Sequence, residues 1–328
     1  MLKHNPRLLA IDSVWGVGME PVYDFYKPLR KVSKAALISE VLQLANRNHV
    51  DVEQLVQQLQ KSISVTGVLD SNEEDIYLHK DTPVFDGPYS NDCYQARIRE
   101  ALAHYARQAG HPEGEPLATT WDRLIFHLPY AFQARRMFGE IFWYENAPTA
   151  QAAILQAQAG MEYPQRDAFA DEAQWQAALQ EFNRAITKTT LYHDFINQRI
   201  APSEWASSLV GNMYAGSILL ALVSTLEVGW KAHTLSAGHT FGFFAYGSGS
   251  KSKVFTARLQ PEWEKVAARL ALGSQLENRI PLEYDTYEKL HRKVLKTPLY
   301  PQLGCFYESA MDDAGVRTHR LPQKQQVG

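Results

Sequence analysis

This sequence has few cysteines, a net charge near zero and few extended apolar runs, and each of these features excludes a class of protein. The 328 residues contain two cysteines, Cys93 and Cys305, which form no CxxC pair. We therefore expect neither a disulfide framework nor a cysteine zinc site, and we expect a reducing cytoplasm as the location. The formal charge of −3 offers no electrostatic basis for binding nucleic acid.

The one long apolar run, residues 208–226, carries no charged side chain. Its length is close to the roughly 18 residues of a transmembrane candidate. However, Asn212, Tyr214 and two glycines lie in its first half, and no cluster of Lys or Arg flanks it. An amide in lipid would need a hydrogen-bonding partner. We therefore interpret the run as a fully buried helix, entered through Gly211 and Asn212, in a protein without a membrane span.

The rest of the chain alternates between strand-like and helix-like patterns, which is typical of a layered α/β protein. Strands are predicted at residues 7–14 and 122–126, and a hairpin is predicted from the segments 239–247 and 253–260. Helices are predicted at 91–108, 130–145, 149–159 and 171–188. Residues 29–63 predict a helical hairpin with Ser33 and Asp51 as N-caps, and residues 64–90 predict a loop.

Four places could carry chemistry, and each also has a structural interpretation. His127 directly follows an apolar strand, where α/β proteins place functional groups, although a lone histidine is more often structural. Asn212 could bond the backbone or a substrate carbonyl. The glycine-rich stretch 246–252 could bind an anion or form a hairpin turn, and Asp24 could be an acid or a turn residue. The sequence contains no HExxH, GxSxG or close Cys/His set, so we expect no metal site.

Six stretches, taken together, resemble one family. In chain order they are NPRLLAID, YDFYKP, PVFDGPYSNDCY, FHLPY, GNMYAGSILLALVSTLE and FGFFAYGSGS. They resemble the motifs of 3-hydroxy-3-methylglutaryl-CoA (HMG-CoA) synthase, in the same order, over about residues 5 to 255. A set of motifs in order is far more specific than any one of them.

The resemblance implies a thiolase-like layered α/β fold, in which two similar halves pack as layers of helix and sheet. Residues 1–28 would be the linking strand and the YDFYKP segment, 29–80 a helical insert, and 81–328 the C-terminal thiolase-like half. The implied reaction condenses acetyl-CoA with acetoacetyl-CoA and water, giving HMG-CoA and CoA on the mevalonate route to isoprenoids. The CoA thioesters are substrates, and no further cofactor is implied.

The resemblance also implies roles for individual residues. His127 would act on the acetoacetyl ketone, and Asp24 would have a lesser catalytic role. The expected substrate-binding residues are Asn212, Tyr214, Gly247, Ser248 and Arg136. A histidine can transfer a proton near neutral pH, and amide and backbone donors can stabilise the developing oxyanion.

The sequence departs from the family in its nucleophile. The acetylated cysteine and the glutamate base lie in the family's first half, and neither Cys93 nor Cys305 has the expected surroundings. We therefore expect a truncated or split synthase that is poorly active alone, with an exposed apolar face and a separate first-half chain as a possible partner. A homo-oligomer is also expected by analogy.

The CoA contacts depart as well, since two positions that are often lysine in the family hold Phe132 and Arg136. Two other functions therefore stay open. The chain could be a non-catalytic subunit that binds an acyl thioester or serves as a scaffold. It could also be a relative from polyketide β-branching that acts on carrier-protein thioesters.

Overall fold

A computed structural model describes residues 4–47, 49–61, 74–80, 82–295, 299, 307–311 and 317–320. The chain divides into two compact units, Met1–Gly273 and Ser274–Gly328. Cys305 lies outside the described residues. The candidate site lies in the first unit.

The strands and helices are numbered in chain order. The strands are β1 (Leu9–Met19), β2 (Phe25–Tyr26), β3 (Leu29–Ser33), β4 (Asp75–His79), β5 (Val84–Phe85), β6 (Arg123–Phe126), β7 (Thr240–Gly247), β8 (Lys251–Leu259), β9 (Tyr307–Met311) and β10 (Arg317–Arg320). The helices are α1 (Lys34–Leu44), α2 (Val52–Lys61), α3 (Gly87–Gln108), α4 (Gln133–Asn146), α5 (Gln151–Ala159), α6 (Glu172–Ile186), α7 (Thr190–Arg199), α8 (Ala201–Val210), α9 (Ser217–Lys231), α10 (Trp263–Ala267), α11 (Leu272–Glu277) and α12 (Tyr284–His291).

The central sheet has the strand order β1-β8-β7-β6. β8 is antiparallel to both of its neighbours, which confirms the predicted hairpin of β7 and β8. β6 runs parallel to β7, so the two strands end at the same edge of the sheet. That edge places His127, directly after β6, near the turn that follows β7.

Helix α3 packs closely against β1. A Cβ atom at Gly16 would lie only 1.9 Å from the carbonyl oxygen of Ala101, so the strand needs glycine here. Between the sheet and α4 lies an aromatic core, in which the rings of Phe126 and Phe244 stack 4.3 Å apart and Phe138 contacts both edge-on. Packing in this core holds the end of β6 in place, and with it the adjoining His127.

The prediction of one fully buried helix over residues 208–226 is wrong. Helix α8 ends at Gly211, which has a φ of 88°, a conformation that interrupts the helical ladder. A 3₁₀ turn at Tyr214–Gly216 follows, and α9 begins at Ser217. Burial is also partial, because Asn212 is exposed and Leu219 on α9 is 63% exposed. The absence of charge therefore did not signal burial here.

The segment around residues 29–80 contains the two predicted helices, and their N-caps are confirmed. Ser33 accepts from the backbone N–H of Ala36, and Asp51 accepts from that of Gln54. The predicted loop at 64–90 is wrong in part, since β4 pairs antiparallel with β3 and β5 pairs with β2. Strand pairing between residues this far apart leaves no local signal in the sequence.

Candidate active site

A cleft of about 350 Å³ opens at the edge where β6 and β7 end. Its lining includes residues from the ends of these strands, from the first turns of α3 and α4 and from the loop between α8 and α9. Among them are His127, Tyr94, Asn212, Tyr214, Ser248 and Gln133. Aromatic rings supply much of the remaining wall, so the cleft suits a flat or apolar group that is fixed by a few polar contacts.

His127 is held from two sides. Its backbone N–H donates to Phe244 at 2.9 Å, which continues the pairing of β6 with β7. Its Nδ1 atom lies 2.8 Å from the Ser217 hydroxyl oxygen, at the first residue of α9. The same hydroxyl accepts from the backbone N–H of Leu128 at 3.0 Å. The imidazole therefore has a fixed position between the sheet and α9.

These contacts favour one tautomer of His127. Among the described residues Nδ1 is the one acceptor within reach of the Ser217 hydroxyl proton, so the arrangement that uses this proton has the hydroxyl donating to Nδ1 and the ring proton on Nε2. Burial lowers the pKa of His127 below its usual value of 6.5. The ring is then neutral at pH 7, with Nε2–H as a donor for a ligand in the cleft.

Tyr94 and Tyr246 connect His127 to Asp24. The Tyr94 hydroxyl donates to the carbonyl oxygen of His127 at 2.7 Å, and the two tyrosine rings lie 4.5 Å apart. Asp24, which is 0% exposed, accepts from the Tyr246 hydroxyl at 2.5 Å and from the backbone N–H of Gly249 at 2.8 Å. Burial and the Asp24 carboxylate together raise the pKa of Tyr246 far above its usual value, so the phenol stays a donor. Asp24 thus lies behind the cleft wall and fixes it.

The loop between α8 and α9 presents Asn212 and Tyr214 to the cleft. The Asn212 Oδ1 atom accepts from the backbone N–H of Tyr214 at 2.7 Å, which folds the loop into a tight turn. Tyr214 has a φ of 49°, which is uncommon for a tyrosine and is held by this turn. Since Oδ1 is bonded to the backbone, the Nδ2 donor of Asn212 is the part available to a ligand.

The turn between β7 and β8 contributes Ser248 to the lining, and the adjoining Gly247 is exposed. Arg136 is exposed on α4, and its guanidinium lies 5.5 Å from the ring centroid of Tyr130, another cleft residue. Arg136 is not among the residues that line the cleft and lines a separate cavity with Arg135 and Arg184. Arg135 beside it is paired with the buried Glu204 and is not equivalent.

Comparison with known proteins assigns the family. The family model described as "Hydroxymethylglutaryl-coenzyme A synthase C terminal" matches residues 75–299, which is well over half of the chain. The chain belongs to the hydroxymethylglutaryl-CoA synthase family. The resemblance stated from the motifs is thereby confirmed.

Individual members of the synthase family match at moderate identity. The hydroxymethylglutaryl-CoA synthase of Haloferax volcanii is 28% identical over 211 residues, covering 64% of this chain and 46% of that protein. The synthase of Schizosaccharomyces pombe is 26% identical over 258 residues, covering 74% of this chain and 56% of that protein. The chain thus spans about half the length of these relatives.

Solved structures of the synthase family confirm the predicted thiolase-like α/β fold. "MvaS in complex with 3-hydroxy-3-methylglutaryl coenzyme A" matches with a TM-score of 0.58 and 20% identity, covering 96% of this chain and 59% of that one. "PksG, a HMG-CoA Synthase from Bacillus subtilis" matches with a TM-score of 0.54 and 14% identity, covering 97% and 59%. At these identities the likeness concerns the fold alone.

The cleft of this family member also uses residues that sequence reasoning missed. Ser217 and Tyr94 both bond His127, and Gln133 forms part of the wall. Tyr94 and Ser217 lie within the quoted family motifs, so their position in those motifs was an available signal. Gln133 gave none, because nothing in FHLPYAFQ distinguishes it from a surface glutamine.

Metal binding and membrane insertion find no support in the part of the chain that the structure describes. Over those residues no group of three or more His, Cys, Asp or Glu side chains could hold a metal ion. Within the same ranges, no helix is both long and apolar enough to cross a bilayer.

Proposed function

We propose that this chain provides the acetoacetyl-CoA site of a hydroxymethylglutaryl-CoA synthase in the cytoplasmic mevalonate route to isoprenoids. The whole reaction joins acetyl-CoA, acetoacetyl-CoA and water to give HMG-CoA and CoA. The observation that carries the proposal is His127, bonded through Nδ1 to Ser217, in a cleft that Asn212 and Ser248 also line.

His127 is the proposed hydrogen-bond donor to the substrate ketone during carbon–carbon bond formation. The carbanion of the acetyl group forms a bond to the ketone carbon of acetoacetyl-CoA, and the carbonyl electron pair moves to the ketone oxygen. The Nε2–H of the neutral His127 donates a hydrogen bond to that oxygen and stabilises its negative charge, and the alkoxide then takes up the proton that the glutamate base has removed from the acetyl group. Asn212 Nδ2 and Ser248 orient the thioester and its oxygens, which is the stabilisation expected at a developing oxyanion, whereas the Gly249 N–H of the same turn is already bonded to Asp24.

Asp24 has a positioning role in this scheme. It holds the hairpin turn through the Gly249 N–H and holds Tyr246, which lies against Tyr94. Through these contacts it fixes both Ser248 and the backbone of His127. It acts on the substrate through these groups.

The acetylated cysteine and the glutamate base are proposed to come from a first-half chain. Cys93 is half-buried on α3, and it is not among the residues that line the cleft. Covalent catalysis without its nucleophile loses the acyl-enzyme step. The chain alone is therefore expected to bind acetoacetyl-CoA and to show little or no turnover.

An apolar surface supports such a partner. Trp15 and Met19 alternate along β1 with Gly16 and Gly18, which face α3, so they lie on the opposite face of the sheet. Met19 is 62% exposed there, and the Trp15 ring stacks on Phe255 at 4.1 Å. Exposed apolar faces of this kind mark interaction sites. Association of identical copies is expected in addition, and sedimentation velocity would detect both kinds of assembly.

A carrier-protein thioester is the second candidate substrate. The observation that favours it is Phe132, which is 44% exposed at a position where the family often has a lysine that could contact CoA. Arg136 still offers one guanidinium, beside the cleft residue Tyr130, for a phosphate. A much lower KM for acetoacetyl carrier protein than for acetoacetyl-CoA would favour the carrier-bound substrate.

The first experiment measures binding and turnover separately. Acetoacetyl-CoA binding is measured by calorimetry for the wild type, Asn212→Ala and a control, Gln108→Ala, on an exposed part of α3. Turnover is followed as the loss of acetoacetyl enolate absorbance with acetyl-CoA, beside His127→Ala and with mass spectrometry of acetylated peptides. We expect binding that Asn212→Ala weakens about tenfold, and no turnover until a first-half protein is added.

Two outcomes would overturn this proposal. If the wild type does not bind acetoacetyl-CoA or its carrier form, the cleft is not a thioester site. If the chain alone turns over and acetyl is found on Cys93 or Cys305, the nucleophile lies in this chain. Binding that never leads to turnover with any first-half protein would favour the scaffold function instead.

A further inference from the structure

Gln133 is a buried side chain with unused hydrogen-bonding capacity. It is the first residue of α4, it lines the cleft, and it is 1% exposed. Its Nε2 donates to the Oδ1 atom of Asn91 at 2.9 Å and lies 3.0 Å from the sulfur of Met137. Among the described residues its Oε1 atom has no hydrogen-bonding partner. A buried carbonyl oxygen without a donor is costly, and one in a cleft wall is explained when a ligand provides the donor.

Asn91 completes a complementary arrangement. It lies on α3, it is exposed, and it also lines the cleft. Its Oδ1 is used by Gln133, while its Nδ2 donates to none of the described residues. The two side chains, which we call the Asn91–Gln133 pair, therefore offer one free acceptor and one free donor side by side. Turning both amides over exchanges these roles and still leaves one donor and one acceptor.

We propose that the Asn91–Gln133 pair binds a secondary amide of the thioester's carrier arm, accepting from its N–H and donating to its C=O. This inference rests on the proposed function, because it names the residues of the same cleft that bind the non-reacting part of an acyl thioester. A secondary amide presents one donor and one acceptor, which matches the pair whichever way the two amides are oriented. An ester, an alkyl chain or a phosphate lacks the donor and cannot satisfy Gln133.

Position in the cleft supports the assignment. Gln133 lies six residues after His127, at the opposite end of the segment that leaves β6 and enters α4. The cleft between them is walled by rings such as Tyr94 and Tyr130, which suit the methylene groups of an arm between the thioester and the amide. Binding energy from such a remote contact orients the reacting carbonyl at His127.

The test compares two acetoacetyl thioesters that differ only in the amide. One is the thioester of N-acetylcysteamine, which carries a secondary amide, and the other is that of pentane-1-thiol, which has a chain of the same length without it. Dissociation constants are measured with the full chain for the wild type, Gln133→Leu and Asn91→Ala. Gln95→Leu is the control, since Gln95 lies one turn further along α3 and bonds Glu140.

The quantity that decides is the ratio of the two dissociation constants, alkyl over amide. We expect this ratio to fall about tenfold in Gln133→Leu and severalfold in Asn91→Ala, and to be unchanged in Gln95→Leu. Asn91→Ala decides alone if Gln133→Leu does not fold, because Asn91 is exposed. A ratio that is the same in the wild type and the folded variants overturns this inference and leaves the proposed function standing. Failure of the wild type to bind either thioester overturns both.

Discussion

The Nδ1 atom of His127 lies 2.8 Å from the hydroxyl oxygen of Ser217, ninety residues further along the chain. The same hydroxyl accepts from the backbone N–H of Leu128, and Nδ1 is the one acceptor that the described residues offer to its proton, so the arrangement that uses this proton presents Nε2–H to the cleft. One serine at the start of α9 thus favours the tautomer in which His127 can donate a hydrogen bond to a ligand.

In Ser217→Ala, the ring of His127 is expected to exchange between its two neutral tautomers. Without the hydroxyl, ¹⁵N chemical shifts should show Nδ1–H and Nε2–H forms in exchange, whereas the wild type shows Nε2–H alone. The free energy of unfolding should fall by about 1–2 kcal/mol, because the Leu128 N–H loses its acceptor. Ser224→Ala is the matched control, since Ser224, on the same helix as Ser217, also accepts from a backbone N–H, that of Ala206, and donates to the carbonyl oxygen of Pro202. A similar loss of stability without a change at His127 is expected there, and an unchanged tautomer in Ser217→Ala would contradict the assignment.

The free energy of unfolding should depend on pH below neutrality in a way that reflects the burial of His127. Its folded-state pKa is lowered, so the unfolded chain binds more protons as the pH falls through the unfolded value of 6.5. The stability contributed by the neutral ring is therefore complete above that value and is lost below it, by at most about 1.4 kcal/mol per pH unit. Urea unfolding between pH 7.5 and 5 should show a larger loss for the wild type than for His127→Ala. Parallel profiles for the two proteins would refute the shift.

Tyr246→Phe should cost more than an ordinary tyrosine hydroxyl. It leaves Oδ2 of the fully buried Asp24 without its donor, for an expected loss of about 2–3 kcal/mol in the free energy of unfolding. Tyr105→Phe is the matched control, because that phenol bonds the neutral hydroxyl of Thr256 and should cost about 1 kcal/mol. Equal losses in thermal or chemical denaturation would show that the carboxylate does not depend on Tyr246.

Gly16→Ala should be among the most damaging small substitutions in the chain. The new methyl group would lie 1.9 Å from the carbonyl oxygen of Ala101, and backbone atoms of α3 cannot rotate away as a side chain can. We expect a loss of about 3 kcal/mol in unfolding free energy, at the upper end for overpacking. Gly87→Ala, where the nearest atom is 4.0 Å away, should change stability by less than about 1 kcal/mol. A Gly16→Ala protein as stable as the control would show that β1 and α3 separate easily.

Local sequence patterns were sufficient for the elements that carry their own signal. The strand before His127, the hairpin of β7 and β8 and the caps at Ser33 and Asp51 follow from alternation, turn residues and capping side chains. The family motifs then identified His127, Asn212 and Ser248, and in the structure these three residues line one cleft. Their proposed roles in catalysis stay predictions.

The rest depended on contacts that no local pattern contains. Strand β3 pairs with β4, which lies more than forty residues further along the chain, and Ser217 bonds His127, which lies ninety residues before it. The prediction for the uncharged run at 208–226 was wrong because an apolar composition was interpreted as one continuous helix. Gly211 in this run adopts a φ that a continuous helix excludes. Gln133 could not be identified as a cleft residue before its burial and its bond to Asn91 were known.

The small ladder of β2 and β5 has a consequence for how this protein can vary. Phe25 pairs with Phe85 and Tyr26 with Val84, so the chain returns to the cleft wall beside the point where it left. Loop-closure entropy rises only slowly with length, so the segment between these strands can be shortened, lengthened or exchanged at small thermodynamic cost. The same junction would accept a grafted reporter domain, and natural variation in length should concentrate there while Asp24 and the start of α3 keep their places.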